Sequence, residues 1–321
     1  MLAVYAQDID REDPLRGLQI GDRPEPDLPA GFTTLSVRAA SLNHHDLWSL
    51  RGIGLKREAL PMILGCDAAG LDEEGNEVVA HSVITSEGWL GDETLDPRRS
   101  ILSERYQGSF AERVAVPVRN LVRKPPELSF EEAACLPTAW LTAYRMLFSR
   151  VRLAPGSTVL VQGATGGVAT ALVALASAAG IRVWVTSRSE QKRAEALELG
   201  ADQAFEAGAR LPERVDAVME TVGEATWGHS VRALKPGGTI VISGSTSGDA
   251  PPAELRRIFF LQLSVVGSTM GTRDELERLV ALCVRQGVRP TIQMTLKLDQ
   301  AREGFEAMLA GEVHGKIVFT P

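Results

Sequence analysis

Cysteine is scarce in this chain: Cys66, Cys135 and Cys283 are the three thiols in 321 residues. They are too few and too dispersed for a disulfide framework, and none belongs to a CxxC pair, so they read as reduced, mostly buried groups. Positive charge is also short. Lysine and arginine total 34 against 41 acidic residues, a net charge of −7, and the basic residues are scattered. That balance argues against nucleic acid as a main partner. No stretch is apolar enough to span a bilayer, and the start, "MLAVYAQDIDRED", turns acidic before a signal-peptide core can form. These absences point to a cytoplasmic protein with no membrane partner.

What the chain does have is length and pattern. At 321 residues, two domains are the default expectation. The first third is strand-like and broken by turns, as in "LSVRAASLN" and "NEVVAHSVI". Residues 85–109 show little periodicity and read as a long, partly ordered surface loop. From about Ser157 the pattern changes to alternating strands and helices: "TVLVQG", "RVWVTS", "ADQAF", "VDAVMETVG", "TIVISG" and "LSVVGS" supply six strands with helical stretches between them. Six strands so separated predict an α/β unit with a parallel, doubly wound sheet. A last strand–helix–strand segment is expected to return to the first domain, giving a mostly β domain at 1–120 and 290–321 interrupted by a nucleotide-binding domain at 121–289.

The turn "VLVQGATGGVATA" places Gly163, Gly166 and Gly167 where the first of these strands meets its helix. Glycine permits a tight turn and close approach of backbone to a diphosphate, and the helix N-terminus offers free N–H groups. Thr165 and Val168 belong to the same turn. At the end of the second strand, where an NAD site places an acidic residue against the ribose diol, the chain has Thr186, Ser187, Arg188 and Ser189, then Lys192. Hydroxyls and cations suit a 2′-phosphate, so NADPH is the expected cofactor, held there by Ser187, Arg188 and Lys192.

With "SLNHHDLWSLRG", "LPMILGCDAAG", "GSFAERVAVPVRNLVRKPPELSFEEAACLPTAWLTAYRML", "LVQGATGGVATA" and "VVGSTMGT", the chain resembles the medium-chain dehydrogenase/reductase superfamily. It is most similar to its quinone oxidoreductase-like branch and to the bacterial proteins labelled zinc-binding dehydrogenases, over nearly its full length. The resemblance implies a GroES-like β domain, a Rossmann domain inserted between its two parts, and hydride transfer from a nicotinamide cofactor. It also implies a homodimer joined through the Rossmann sheet edge, near "LSVVGSTMGT". Thr142 then corresponds to a nicotinamide contact, and the expected cofactor set extends to Ser243, Gly244, Gly267, Ser268 and Lys316.

The zinc alcohol dehydrogenases of that superfamily hold their catalytic metal at positions matching Asn43, Cys66 and Thr138 here. Only Cys66 is a strong ligand, and a catalytic zinc needs three. Residues 71–134 contain no cysteine, so the structural zinc lobe is missing as well. No metal is therefore expected. Asn43 and Asp46 form an Asn-x-x-Asp pattern resembling that of the zinc-independent quinone oxidoreductases. Asn43 is a candidate to bind a substrate carbonyl, Asp46 either fixes the loop or acts directly, and His45, where the zinc enzymes begin a proton relay, is a candidate proton donor. Together these predict a zinc-independent NADPH oxidoreductase acting on quinones or α,β-unsaturated carbonyls. The alternatives are a zinc alcohol dehydrogenase with unusual ligands and a non-catalytic NADPH-binding protein.

Overall fold

The computed structural model describes residues 1–321, which form two compact units: Met1–Leu141 with Met270–Pro321, and Thr142–Thr269. Patterning alone had set the boundaries near 121 and 290. The difference comes from helices that dock on the first unit's sheet. Phe130–Ala134, capped by Ser129, packs on the strands Phe32–Ser41 and Ala68–Leu71, and Arg273–Gln286 packs on Leu121–Arg123 and on the turn Leu136–Trp140.

The first unit is a GroES-like β fold. Its seven-stranded sheet is organised on Phe32–Ser41, which pairs with Ala68–Leu71, Arg113–Pro117 and the C-terminal strand Lys316–Thr320, each antiparallel. Two registers matter for the site. Val318 lies opposite Ser41, so Lys316 arrives beside Asn43, and Ala39 lies opposite Ala69, so Asp67 arrives beside Ser41. Beneath the sheet Phe110, Phe305 and Phe319 meet, Phe110 edge-on to Phe319 with ring centroids 5.0 Å apart. The segment 85–109 is not partly ordered as its composition suggested. Val83–Ile84 pairs with Ser100–Ile101, and the Asp96 carboxylate accepts from the Ser86 and Arg98 amides at 2.6 and 2.8 Å. Short-range turn chemistry of this kind carries no hydrophobic period, which is why patterning missed it.

The second unit is a Rossmann fold. Its strands, numbered within this unit, are β1 (Thr158–Gln162), β2 (Arg182–Ser187), β3 (Gln203–Glu206), β4 (Val215–Glu220), β5 (Leu234–Ile242) and β6 (Ser264–Gly267). All pair in parallel in the order β3-β2-β1-β4-β5-β6, the doubly wound arrangement. Helices α1 (Gly167–Ala178), α2 (Glu190–Glu198) and α3 (Glu224–Ala233) follow β1, β2 and β4. β1 is buried at all five positions, as a central parallel strand covered on both faces must be. No helix in the chain is long and apolar enough to cross a membrane.

Candidate active site

In the first unit a short helix, His44–Leu50, follows Asn43. Asn43 precedes it in extended conformation and Asp46, at its third position, reaches back: Asp46 Oδ2 accepts from the Asn43 amide at 2.9 Å. Asp46 Oδ1 accepts from the Gly65 amide, also at 2.9 Å. Asp46 is fully buried, and burial pushes its carboxyl up to about 7 although both backbone donors pull it down. It fixes the loop, since both of its oxygens are committed to backbone.

Asn43 leads into a buried polar cluster centred on Asp67. Asp67 Oδ2 accepts from Ser41 Oγ at 2.7 Å and Asn43 Nδ2 at 2.8 Å; Oδ1 accepts from Thr138 Oγ1 at 2.5 Å and Ser82 Oγ at 3.3 Å. The Lys316 ammonium donates to Asn43 Oδ1 at 2.6 Å and to the Leu42 carbonyl at 2.8 Å, and lies 3.7 Å from Asp67 Oδ2. Lys316, expected among the cofactor residues, is 2% exposed and belongs to this cluster. Asn43 Nδ2 also donates to the Ser41 carbonyl at 3.1 Å, so its carboxamide is fully engaged. Cys66 Sγ sits 3.6 Å from Asn43 Nδ2 and 3.4 Å from Thr138 Oγ1. The thiol is pushed well above its ordinary value by burial, then by Asp67 and Asp46.

His45 is half-buried, with Nε2 3.5 Å from Ser103 Oγ, and burial lowers its pKa against the pull of Glu104 and Asp67. His44 is solvent-exposed on one side and contacts Trp48 one helical turn on; burial of its remaining surface, Lys316 and Arg51 lower its pKa as well. Trp140, in the turn that carries Thr138, is 1% exposed and packs in the core.

In the second unit the expected cofactor residues gather at the C-terminal ends of the strands, where ligands of such sheets bind. Gly163 has φ +88°, a conformation favouring glycine, and Gly166 caps α1 with open space where a Cβ would stand. Thr165, Gly167 and Val168 complete that turn. Ser187 ends β2, Arg188 is exposed beside it, and Lys192 lies in the first turn of α2, which Ser189 caps. Arg193, which sequence reasoning passed over, donates to the Ser187 carbonyl at 2.8 Å and adds a third cation. Ser243 and Gly244 follow β5, and Gly267 and Ser268 close β6. Ser268 Oγ is buried without a partner, a polar atom that a bound ligand would satisfy. Thr142 is buried in the helix Leu141–Phe148. The residues present fit a phosphate-bearing dinucleotide.

Beneath this rim runs a second buried network. Glu220, at the end of β4, accepts from the Val222 and Gly223 amides at 2.8 and 3.0 Å, from Thr226 and from Ser230. Ser230 and Thr186 both hydrogen-bond Gln162, at 2.9 and 2.5 Å, tying the ends of β1, β2 and β4 together.

Two family models match: "Alcohol dehydrogenase GroES-like domain" over residues 30–126 and "Zinc-binding dehydrogenase" over 167–285. The zinc-type alcohol dehydrogenase-like protein of Schizosaccharomyces pombe is 30% identical over 317 residues, covering 91% of each chain. The chain belongs to the medium-chain dehydrogenase/reductase superfamily. It is an oxidoreductase of that group. The acryloyl-coenzyme A reductase of Metallosphaera sedula is 29% identical, covering 95% of this chain and 97% of its own. Among solved structures, an NAD-dependent alcohol dehydrogenase superposes over the full length of both chains with a TM-score of 0.92 at 31% identity. A 2-octenoyl-CoA carboxylase reductase in complex with NADP and 2-octenoyl-CoA gives 0.92 over 99% of this chain and 87% of its own, at 24% identity, a likeness of fold.

The zinc in that second family description can be tested against the residues. The three matched positions do converge, but they present a carboxamide already bonded on both sides, a buried thiol held neutral, and a hydroxyl. An ammonium stands beside them. No group of three or more His, Cys, Asp or Glu side chains is arranged to hold a metal. This donor set does not fit a catalytic zinc.

Proposed function

We propose that this protein is an NADPH-dependent reductase of conjugated carbonyl compounds, with α,β-unsaturated thioesters and enones ahead of quinones, working without zinc. The observation that carries the reading is the Lys316–Asn43–Asp67 cluster at the matched metal positions. A simple ketone has no electron sink of its own and depends on an electrophile at its oxygen, which zinc supplies in the alcohol dehydrogenases, whereas a conjugated acceptor delocalises the incoming charge over its own atoms. NADPH, when bound, supplies the hydride. The cofactor is NADPH rather than NADH because Ser187, Arg188, Lys192 and Arg193 offer donors and positive charge where a diol would need a carboxylate. The acryloyl-coenzyme A reductase likeness favours thioesters within the class.

The assembly proposed is a homodimer through β6. That edge strand is mostly exposed, with Val265 44% exposed, and the neighbouring helix Leu255–Phe260 shows Phe259 and Phe260 at 69% and 77%. A second copy pairing edge to edge would cover both.

The test is a spectrophotometric screen of NADPH and NADH oxidation with crotonyl and acryloyl thioesters, enones and quinones, alongside alcohol oxidation, with metal content measured on the same protein. NADPH oxidation by conjugated acceptors, unaffected by chelator, is expected. Stoichiometric zinc with chelator-sensitive alcohol oxidation would overturn the reading, as would tight NADPH binding with no turnover on any acceptor.

A further inference from the structure

We infer that the Thr138 hydroxyl is the group that binds the acceptor's carbonyl oxygen, a role for which Asn43 is the more obvious nominee. The inference rests on the reductase reading above. Asn43 is unsuited because its carboxamide has nothing left to give: both Nδ2 hydrogens are donated, to Asp67 and the Ser41 carbonyl, and Oδ1 is held by Lys316. It is also 6% exposed, and Asp67, Cys66 and Lys316 are more deeply buried still. Thr138 is the member of the cluster with appreciable surface.

Its surroundings let it act. Thr138 Oγ1 donates to Asp67 Oδ1 at 2.5 Å in the structure, but Asp67 has three further side-chain donors in Ser41, Asn43 and Ser82. The carboxylate therefore stays solvated by protein when Thr138 turns its hydrogen outward. Cys66 Sγ, 3.4 Å from Thr138 Oγ1, is placed to donate to that oxygen once it turns, which strengthens its own O–H as a donor. The residue sits in the π-helical turn Leu136–Trp140, whose extra residue per turn interrupts the regular backbone ladder and is a feature frequent at functional sites. As an acceptor is reduced, charge gathers on its carbonyl oxygen, and a pre-positioned hydroxyl bonds that oxygen more strongly than the ground-state carbonyl. No covalent bond forms to Thr138 and no proton leaves it.

The experiment compares wild type with Thr138→Val, Thr138→Ala and Thr138→Ser. The first readout is the isotope-edited infrared carbonyl stretch of a crotonyl pantetheine thioester bound at saturation without NADPH. A shift to lower frequency is expected in wild type and Thr138→Ser, and its loss in Thr138→Val. The second is kcat/KM for the same thioester, expected to fall roughly 100-fold in Thr138→Val, with KM for NADPH unchanged and activity largely restored in Thr138→Ser. Should Thr138→Val fail to fold, Thr138→Ala carries the same expectation. An unshifted carbonyl in wild type, or a shift and kcat/KM kept within threefold by the variants lacking the hydroxyl, overturns the inference. Failure of the reductase reading shows separately, as absence of NADPH oxidation by wild type, while the infrared comparison still decides Thr138.

Discussion

Replacing Lys316 with methionine tests the cluster directly. The ammonium is 2% exposed and Asp67 is fully buried, with 3.7 Å between Nζ and Oδ2. Methionine keeps most of the volume and removes the charge, leaving Asp67 with its four side-chain donors but no counter-ion, and Asn43 Oδ1 and the Leu42 carbonyl without their donor. Removing one partner of a buried pair costs about 3–5 kcal/mol. For a chain of this size, with ~1 kcal/mol shifting the midpoint by about 2–3 °C, thermal unfolding should fall by roughly 6–15 °C. The informative assay is a double-mutant cycle by urea unfolding, adding Asp67→Asn and Lys316→Met/Asp67→Asn. Removing both charges should cost less than the two single changes together, by ~1.5 kcal/mol or more. Additive losses would refute the argument, because they would mean the ammonium and the carboxylate do not sense each other.

Other expectations follow from single residues. Gly65→Ala places a Cβ 2.4 Å from Phe110 Cδ1 at a φ of +94°, so urea unfolding should show a loss above ~2 kcal/mol. Asp46 titrates near 7 in the folded chain against 3.8 ordinarily, so folding takes up a proton between those values. Its contribution to stability is full below about pH 4, is lost as pH rises through 7, and spans up to ~4 kcal/mol; the stability difference between wild type and Asp46→Asn should vary over that window and flatten above it. Arg188→Ala combined with Lys192→Ala should raise KM for NADPH roughly 10- to 100-fold and leave NADH unchanged in steady-state assays. Glu220→Gln should cost roughly 1–3 kcal/mol by the same unfolding assay, because one amide oxygen cannot accept from the Val222 and Gly223 amides and both hydroxyls.

The second unit was the more legible in sequence. Its strands are short, apolar and separated by helices, and each of the six expected segments overlaps a strand, in chain order. The glycines of the first turn and the cations after β2 were readable because local backbone geometry and charge dictate them. The first unit yielded less. The helix His44–Leu50 is barely two turns long and too short for an apolar period, so its capping aspartate looked like an isolated loop residue. The buried partners of Lys316 were illegible for a different reason. Its carboxylate neighbour is not local in sequence, and what brings the two together is strand register: the pairing of Val318 with Ser41 delivers Lys316 to Asn43, and the pairing of Ala39 with Ala69 delivers Asp67. Long-range pairing leaves no trace in a local window.

That register has a consequence for how the protein is made. The Lys316–Leu42 contact joins residues 274 apart, with the whole Rossmann unit emerging between them. At ribosomal rates of about 5–20 residues per second, the strand Phe32–Ser41 waits roughly 15–55 s for its C-terminal partner. During that interval Asp67 and Asn43 face water or chaperone rather than an ammonium. A Rossmann unit free to collapse in the meantime would bring the two halves of the interrupted sheet toward each other, shortening the search for the last strand.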